Sequence, residues 1–284
     1  MSRPEYEMAL APLDDQPLER RLPPLSRLWR QDWVRKAVIL LILACLWEVL
    51  ARIQANDLLL PGVLQTLSAL FETAASGELG ARVWVSLSVL VQAYVLGIVI
   101  AFAFTSLAIS TQLGRDLLST LTSMFNPLPA IALLPLALLW FGLGKGSLIF
   151  VIIHSVLWPL ALNTYSGFLS VSPTLRMAGR NYGLNGLRYV AQILIPAALP
   201  SILSGLKISW AFAWRTLIAA ELVFGSSGGD GGLGWYIFQN RNELYTDRVF
   251  AGLIAVVVIG LLVEGLLFNT LERITVKRWG VSTS

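Results

Sequence analysis

Charge, cysteine and histidine are all scarce in this chain. Asp, Glu, Lys and Arg make up 13% of its 284 residues, against roughly 25% in an ordinary soluble domain, so a water-soluble globular protein is excluded. The single cysteine, Cys45, allows no intrachain disulfide and no cysteine-based metal site. The single histidine, His154, has no second ligand at a suitable spacing, and reads as packing or as one hydrogen bond. With the acids scattered as well, the clustered His, Asp or Glu that an integral membrane enzyme needs is missing. A phosphate-binding loop is also absent. The nearest stretch, "GLGKGS" at Gly142–Ser147, separates Lys145 from Ser147 by a glycine and has Leu139 where the first loop glycine belongs. The glycine-rich run "FGSSGGDGGLGWY" holds one acid, Asp230, and lacks the order of a calcium or phosphate loop; it reads as a flexible or re-entrant turn. No tandem repeat and no soluble domain is visible.

What remains is apolar sequence: 56% hydrophobic residues and a mean hydropathy of +0.69. A transmembrane helix needs about 20 mostly apolar residues. Six windows qualify, at Ala37–Ile53, Val83–Ile109, Leu117–Phe141, Ser147–Leu169, Ile202–Phe224 and Val249–Leu271. The expected fold is therefore an all-α polytopic membrane protein of about six spans. The division is a tail at 1–36, a membrane domain at 37–271 and a second tail at 272–284. No small-residue cleavage site follows the first window, which reads as a retained signal anchor.

The net charge of +4 is spread over loops and termini rather than gathered in a patch, which speaks against nucleic acid. It encodes topology instead. With six spans both ends share a side; that side carries fourteen Lys and Arg, while the other carries five, Arg52, Arg82, Lys145, Arg241 and Arg248. The positive-inside tendency then puts both termini and the loop between spans four and five in the cytoplasm.

Two segments interrupt the apolar pattern within the membrane domain. After "LLLPG", Pro61 opens an expected interfacial helix with Val63, Leu64, Leu67, Leu70 and Phe71 on one face. The third span contains Pro127, Pro129 and Pro135, and prolines at membrane depth free carbonyls that only protein or a water-filled cavity can satisfy. This span either lines a path, with Asn126 as a pore-facing amide, or is a kinked packing helix.

The loop at about 171–199 is the most polar interruption. Ser172-Pro173 forms a helix start and Gly183 a C-terminal stop. Asn185 offers a second N-cap, after which Leu184, Leu187, Ala191 and Leu194 share a face until Pro196 ends the run. Two short amphipathic helices between spans have to rest their apolar side on the protein's own underside or on a partner.

Gly183, Ile193 and Ile195-Pro196 stand at the spacing that resembles the Glu-Ala-Ala…Gly…Ile-x-Leu-Pro loop of ATP-binding-cassette importer permeases. Here the first part reads Met177-Ala178-Gly179, and Ile195 replaces the Leu. "LPGVLQTL", "SGELG", "PLPAIALLPLALLWFGLGKGS", "ILIPAALPSILSGLKISWAFAWRTLIAAEL" and "TDRVFAGL", in this order, are similar to the nitrate/sulfonate/taurine group. The resemblance covers about 60–279. It implies a type I importer membrane domain, similar to methionine permeases, in the bacterial inner membrane.

The same resemblance makes the loop a coupling helix, with Met177, Ala178, Gly179, Arg180, Asn181, Tyr182, Gly183, Leu184, Leu187, Arg188, Ile193 and Pro196 as the residues that meet the ATPase. It implies two ATPase subunits carrying ATP and Mg²⁺, a second permease copy, a periplasmic or lipid-anchored binding protein, surrounding lipid, and no cofactor on this chain. The solute is expected to be a small anion such as nitrate, a sulfonate or taurine, the exact one left open.

Ionisable groups at span depth cost about 2.5–3.5 kcal/mol each near a helix centre, so they face a cavity or one another. Glu48, Lys207, Arg215, Glu221 and Glu264 are of this kind. Arg215, near mid-depth, either attracts the anion or pairs with Glu264 or Glu48 to hold spans together. Glu221 matches a Glu the family carries, and reads as an outer-gate or subunit-contact residue or as a structural hydrogen-bond acceptor near the surface. Asn126, Pro127, Pro129, Arg215 and Glu221 form the expected translocation path. An ion-coupled secondary carrier of small anions stays as the alternative, although the third span's prolines have no counterpart in the sixth.

Overall fold

The computed structural model describes residues 31–224 and 231–277. Most of the tail at 1–36, Gly225–Asp230 of the glycine-rich turn and 278–284 of the second tail lie outside the described residues. The chain divides into two units, 1–53 and 54–284. The first holds α1 (Asp32–Gln54), which starts five residues before the expected span and carries the ion pairs Arg35–Asp32 and Arg52–Glu48, the latter at 3.0 Å.

The second unit comprises α2 (Val63–Ala75), α3 (Glu78–Ser110), α4 (Gln112–Phe125), a 3-10 turn (Ala130–Leu133) running into α5 (Leu134–Phe141), and α6 (Lys145–Ser170). The hairpin follows as α7 (Pro173–Asn181) and α8 (Gly186–Tyr189), the latter prolonged by a π turn (Val190–Leu194) and by Ile195–Ala197. Then come α9 (Leu199–Phe224), α10 (Leu233–Asn242) and α11 (Thr246–Leu262), which continues through wider turns to Lys277, past the expected tail boundary at 272. Among the described residues four helices are long and apolar enough to cross a membrane, and up to six spans result when each of two bent pairs counts as one.

One of those pairs is the third span. It is not a single helix: α4 and the Ala130–Phe141 segment meet at 90°. Pro127 and Pro129 supply no N–H to carry the α-helical ladder across, and Pro135 sits in the first turn of α5, where a missing N–H costs nothing.

Helix packing in the second unit uses small residues, because lipid offers no hydrophobic drive between helices and close backbone approach has to supply the contact. A Cβ on Gly97 of α3 would stand 2.8 Å from Val156 Cγ1 of α6, and one on Gly205 of α9 would stand 2.8 Å from Asn163 Cβ of α6. Helix α6 is thus clasped between α3 and α9 around Val151, Ile152, Leu160, Ala213 and Leu217. Tyr94 donates to the Leu206 carbonyl at 2.7 Å and Trp214 Nε1 to that of Val256 at 3.2 Å, tying α9 to α3 and α11.

Helix α2 turns its large apolar side chains away from the protein. Leu64, Leu67 and Phe71 are exposed, while Thr66, Ala69 and Thr73 are buried, the helix packing on α11. When the surrounding solvent is lipid, the large apolar side chains turn outward and the small ones make the helix contact.

Candidate functional site: a seated hairpin and a cavity at a broken span

The hairpin is built by its caps. Ser172 Oγ accepts from the Leu175 N–H at 3.3 Å, opening α7 with Pro173 in the first turn. At the far end Gly183 takes φ +71°, and the Leu184 and Gly183 N–H groups close back on the Gly179 and Arg180 carbonyls at 3.1 and 2.9 Å. That is a Schellman closure, which a left-handed glycine permits without strain. Asn185 stands at the next N-cap, but its side-chain amide donates back to the Gly183 carbonyl at 3.3 Å instead of accepting from α8.

Val190, Leu194 and Ala198, not Leu187 and Ala191, form the buried face of the second arm. The π turn has more residues per turn than an α-helix, so positions four apart stay stacked on one side. It also lets the chain run through Pro196, which was expected to end it; the break comes at Ala198, where α8 and its extension meet α9 at 81°. With Phe168, Val171 and Ile202 these residues make a separate small core that seats the hairpin. Arg176, which the sequence did not single out, adds its Nε to the Val171 carbonyl at 3.0 Å and a second nitrogen to that of Phe168. Gly179 is buried because Ile193 leaves no room: a Cβ there would meet Ile193 Cγ1 at 2.9 Å.

Outside that seat the hairpin is apolar and bare. Tyr182 is 85% exposed, Leu187 76% and Met177 58%, with Arg180, Asn181 and Arg188 exposed among them. Leu184, half-buried, joins Arg176, Arg180 and Tyr189 around a recess of about 300 Å³.

The residues expected along a path fall into three places. Asn126, Pro127 and Pro129 line a cavity of about 310 Å³ at the α4–α5 break, together with Phe125, His154, Trp158, Pro159, Phe212 and Thr216. Arg215 borders a different cavity of about 470 Å³ between α9 and α11, with Lys207 and Glu264. It does not pair with Glu264. Lys207 Nζ takes Glu264 at 2.9 Å and Arg52 takes Glu48, while Arg215 Nε donates to the Ala211 carbonyl at 3.0 Å and its guanidinium lies over the Phe212 ring.

Glu221 lies in neither cavity. It is 3% exposed, accepts from Ser86 Oγ and from the Gly234 N–H, each at 2.8 Å, and Ser86 Oγ in turn accepts from the Leu233 N–H at 2.8 Å. The carboxylate therefore caps α10 and fastens it to α3, with a helix N-terminus supplying favourable partial charge. Arg82 Nη1 donates to the Gly231 carbonyl beside it, at 3.0 Å.

Of the two expected settings for His154, packing or one hydrogen bond, the structure has the first: neither ring nitrogen has a partner among the described residues, and the ring stands edge-on to Phe125 and Trp158. With Trp158 and Thr216 it went unrecognised as cavity lining; the available signal was Pro159, five residues on, which opens the same helix. Among the described residues no three His, Cys, Asp or Glu side chains gather in a way that holds a metal ion.

Residues 93–276 match the family described as binding-protein-dependent transport system inner membrane component. The chain is 30% identical to the taurine transport system permease protein of Escherichia coli, over 83% of this chain and 88% of that one. It is 29% identical to the nitrate import permease protein of a Synechocystis strain, over 86% and 90% of the two chains. Against an Escherichia coli permease protein named for aliphatic sulfonates transport, identity is 30% over 78% and 82%.

Proposed function

This chain belongs to the binding-protein-dependent transport system inner membrane component family, and from that premise we infer how it works as the membrane-spanning subunit of an ATP-driven importer. It is a transport subunit, not an enzyme, in the inner membrane, and it acts with an ATPase and a substrate-binding protein. Membership of this family sets aside the ion-coupled carrier.

The hairpin is the handle on which the ATPase acts. The observation that carries this reading is the bare apolar surface of Met177, Tyr182 and Leu187, held on a seat with its own core and ringed by Arg180 and Arg188. Exposed large apolar side chains rimmed by charge are the makings of a protein contact. Ala178, Gly179, Gly183, Ile193 and Pro196 shape the handle, while Asn181, Leu184 and the arginines border the contact. Two ATPase subunits, carrying ATP and Mg²⁺, grip two copies of this chain, and the positive-inside bias puts hairpin and termini in the cytoplasm. The solute is a small oxyanion of the kind named for the relatives. Asn126, Pro127 and Pro129 belong to the wall of its path, and Arg215, at the neighbouring cavity, raises the local anion concentration. Glu221 acts as a brace for α10.

Tyr182→Glu with Leu187→Glu puts two charges into the contact and leaves the hairpin's own core untouched. The double variant should insert normally, lose the ATPase on co-purification and lose ATP-driven uptake in proteoliposomes by at least tenfold. Unchanged co-purification together with unchanged uptake would remove the hairpin from this role.

A further inference from the structure

Two proline-opened helices face one cavity. Pro127 and Pro129 break the third span on one side, and Pro159 in α6, which has no N–H to give the Ser155 carbonyl, borders it on the other. Unsatisfied backbone groups at membrane depth are tolerated where they are buried in protein or line a water-filled space, and here the break of the third span and the ladder bond missing at Pro159 of the continuous α6 meet the same space. Both ring nitrogens of His154 and the Nε1 of Trp158 are buried without a hydrogen-bond partner among the described residues. Unpaired buried donors are expensive, and a chain that needed His154 and Trp158 only for packing would do better with apolar rings.

We propose that this cavity is the site where the solute touches the permease inside the membrane, and that it takes a small organic oxyanion, a sulfonate or carboxylate with an apolar body. This rests on the reading of the chain as an importer subunit and names the substrate class at its path. The Trp158 indole can only donate, and the Thr216 hydroxyl, the Asn126 amide and one His154 nitrogen add donors for oxyanion oxygens. No carboxylate lines the cavity, so a cation finds no counter-charge. Phe125, stacked on Trp158 at 5.5 Å between ring centroids, and Phe212 supply the apolar wall. The volume, about 310 Å³, falls at the small end of the roughly 300–1,000 Å³ of small-molecule sites; an inorganic oxyanion would leave most of that wall uncovered. The lining is also free of any Lys or Arg. A transport path has to bind weakly enough to release, and neutral dipoles hold an anion without trapping it.

The test uses the fact that His154 is the only histidine. The full chain, labelled with 13Cε1-histidine, carrying a histidine-free tag and embedded in nanodiscs, gives one imidazole resonance from inside the cavity. Titration with benzenesulfonate, butanesulfonate or butyrate should move it saturably, at concentrations where nitrate and butylammonium leave it in place. A resonance unmoved by the organic anions, or moved equally by nitrate or butylammonium, overturns the proposal. In the complete transporter, Trp158→Phe keeps the ring stack and removes only the N–H, and Thr216→Val removes the hydroxyl. Together they should cut uptake per ATP hydrolysed at least tenfold for the anion that moved the resonance, with half-saturation unchanged because the binding protein sets it. Uptake per ATP equal to the wild type likewise overturns the site. Absence of ATP-driven uptake in the wild-type complex would strike the importer reading itself, and leaves the resonance to judge the cavity.

Discussion

Glu221 illustrates how little a residue's type says about its task. A carboxylate near the end of a span invites a gating role, yet its oxygens are taken by Ser86 and the Gly234 N–H. Gly232 completes the fit, because a Cβ there would stand 2.2 Å from Glu221 Oε1 and 2.3 Å from Ser86 Oγ. Charge-assisted hydrogen bonds of this kind contribute about 1.5–3 kcal/mol each. Glu221→Ala and Gly232→Ala should each lower the thermal midpoint of the detergent-purified protein. The double variant should fall short of the sum, because either change alone already opens the same contact; additive shifts in fluorescence-monitored melting would refute the shared brace.

Between elements, the contact most open to test is the Lys207–Glu264 pair joining α9 to the wide turns that follow α11. Both side chains are about half exposed, and on a membrane span that leaves them to lipid, where removing one partner strands a charge and removing both does not. Lys207→Met should therefore reduce the yield of assembled protein on size-exclusion chromatography, and Lys207→Met with Glu264→Leu should restore it. A double variant as poor as the single one would show that the pair does not join the helices. The sequence leaves this partnership open for a geometric reason. Lys207 and Arg215 are eight residues apart on α9 and so only about 80° apart around it, and periodicity alone offers either to Glu264. The spans themselves were legible, because a long apolar run has few other readings. The caps of α7 were legible too, since Ser-Pro and a late Gly have specific backbone roles. The side of α2 that meets the protein was not, because Thr66, Ala69 and Thr73 carry no apolar signal. Nor was the cavity, whose walls come from α4, α6 and α9 and meet only in the folded chain.

At the scale of the molecule the orientation is the property that decides everything else. In a Cys45→Ser background, cysteines at Arg188 on the hairpin and at Leu244 between α10 and α11 should react oppositely with a membrane-impermeant thiol reagent. Leu244→Cys should label in intact cells and Arg188→Cys only after lysis; the reverse pattern would overturn the assigned sidedness. Helix α9 gives that orientation its mechanical meaning. It leaves the hairpin at 81°, places Phe212 in the wall of both cavities and ends on the carboxylate that holds α10, about 33 Å along by helical rise. Such a rod is a crankshaft: any displacement imposed at Leu199 would be carried in one piece to the walls of both cavities and to the brace on α10.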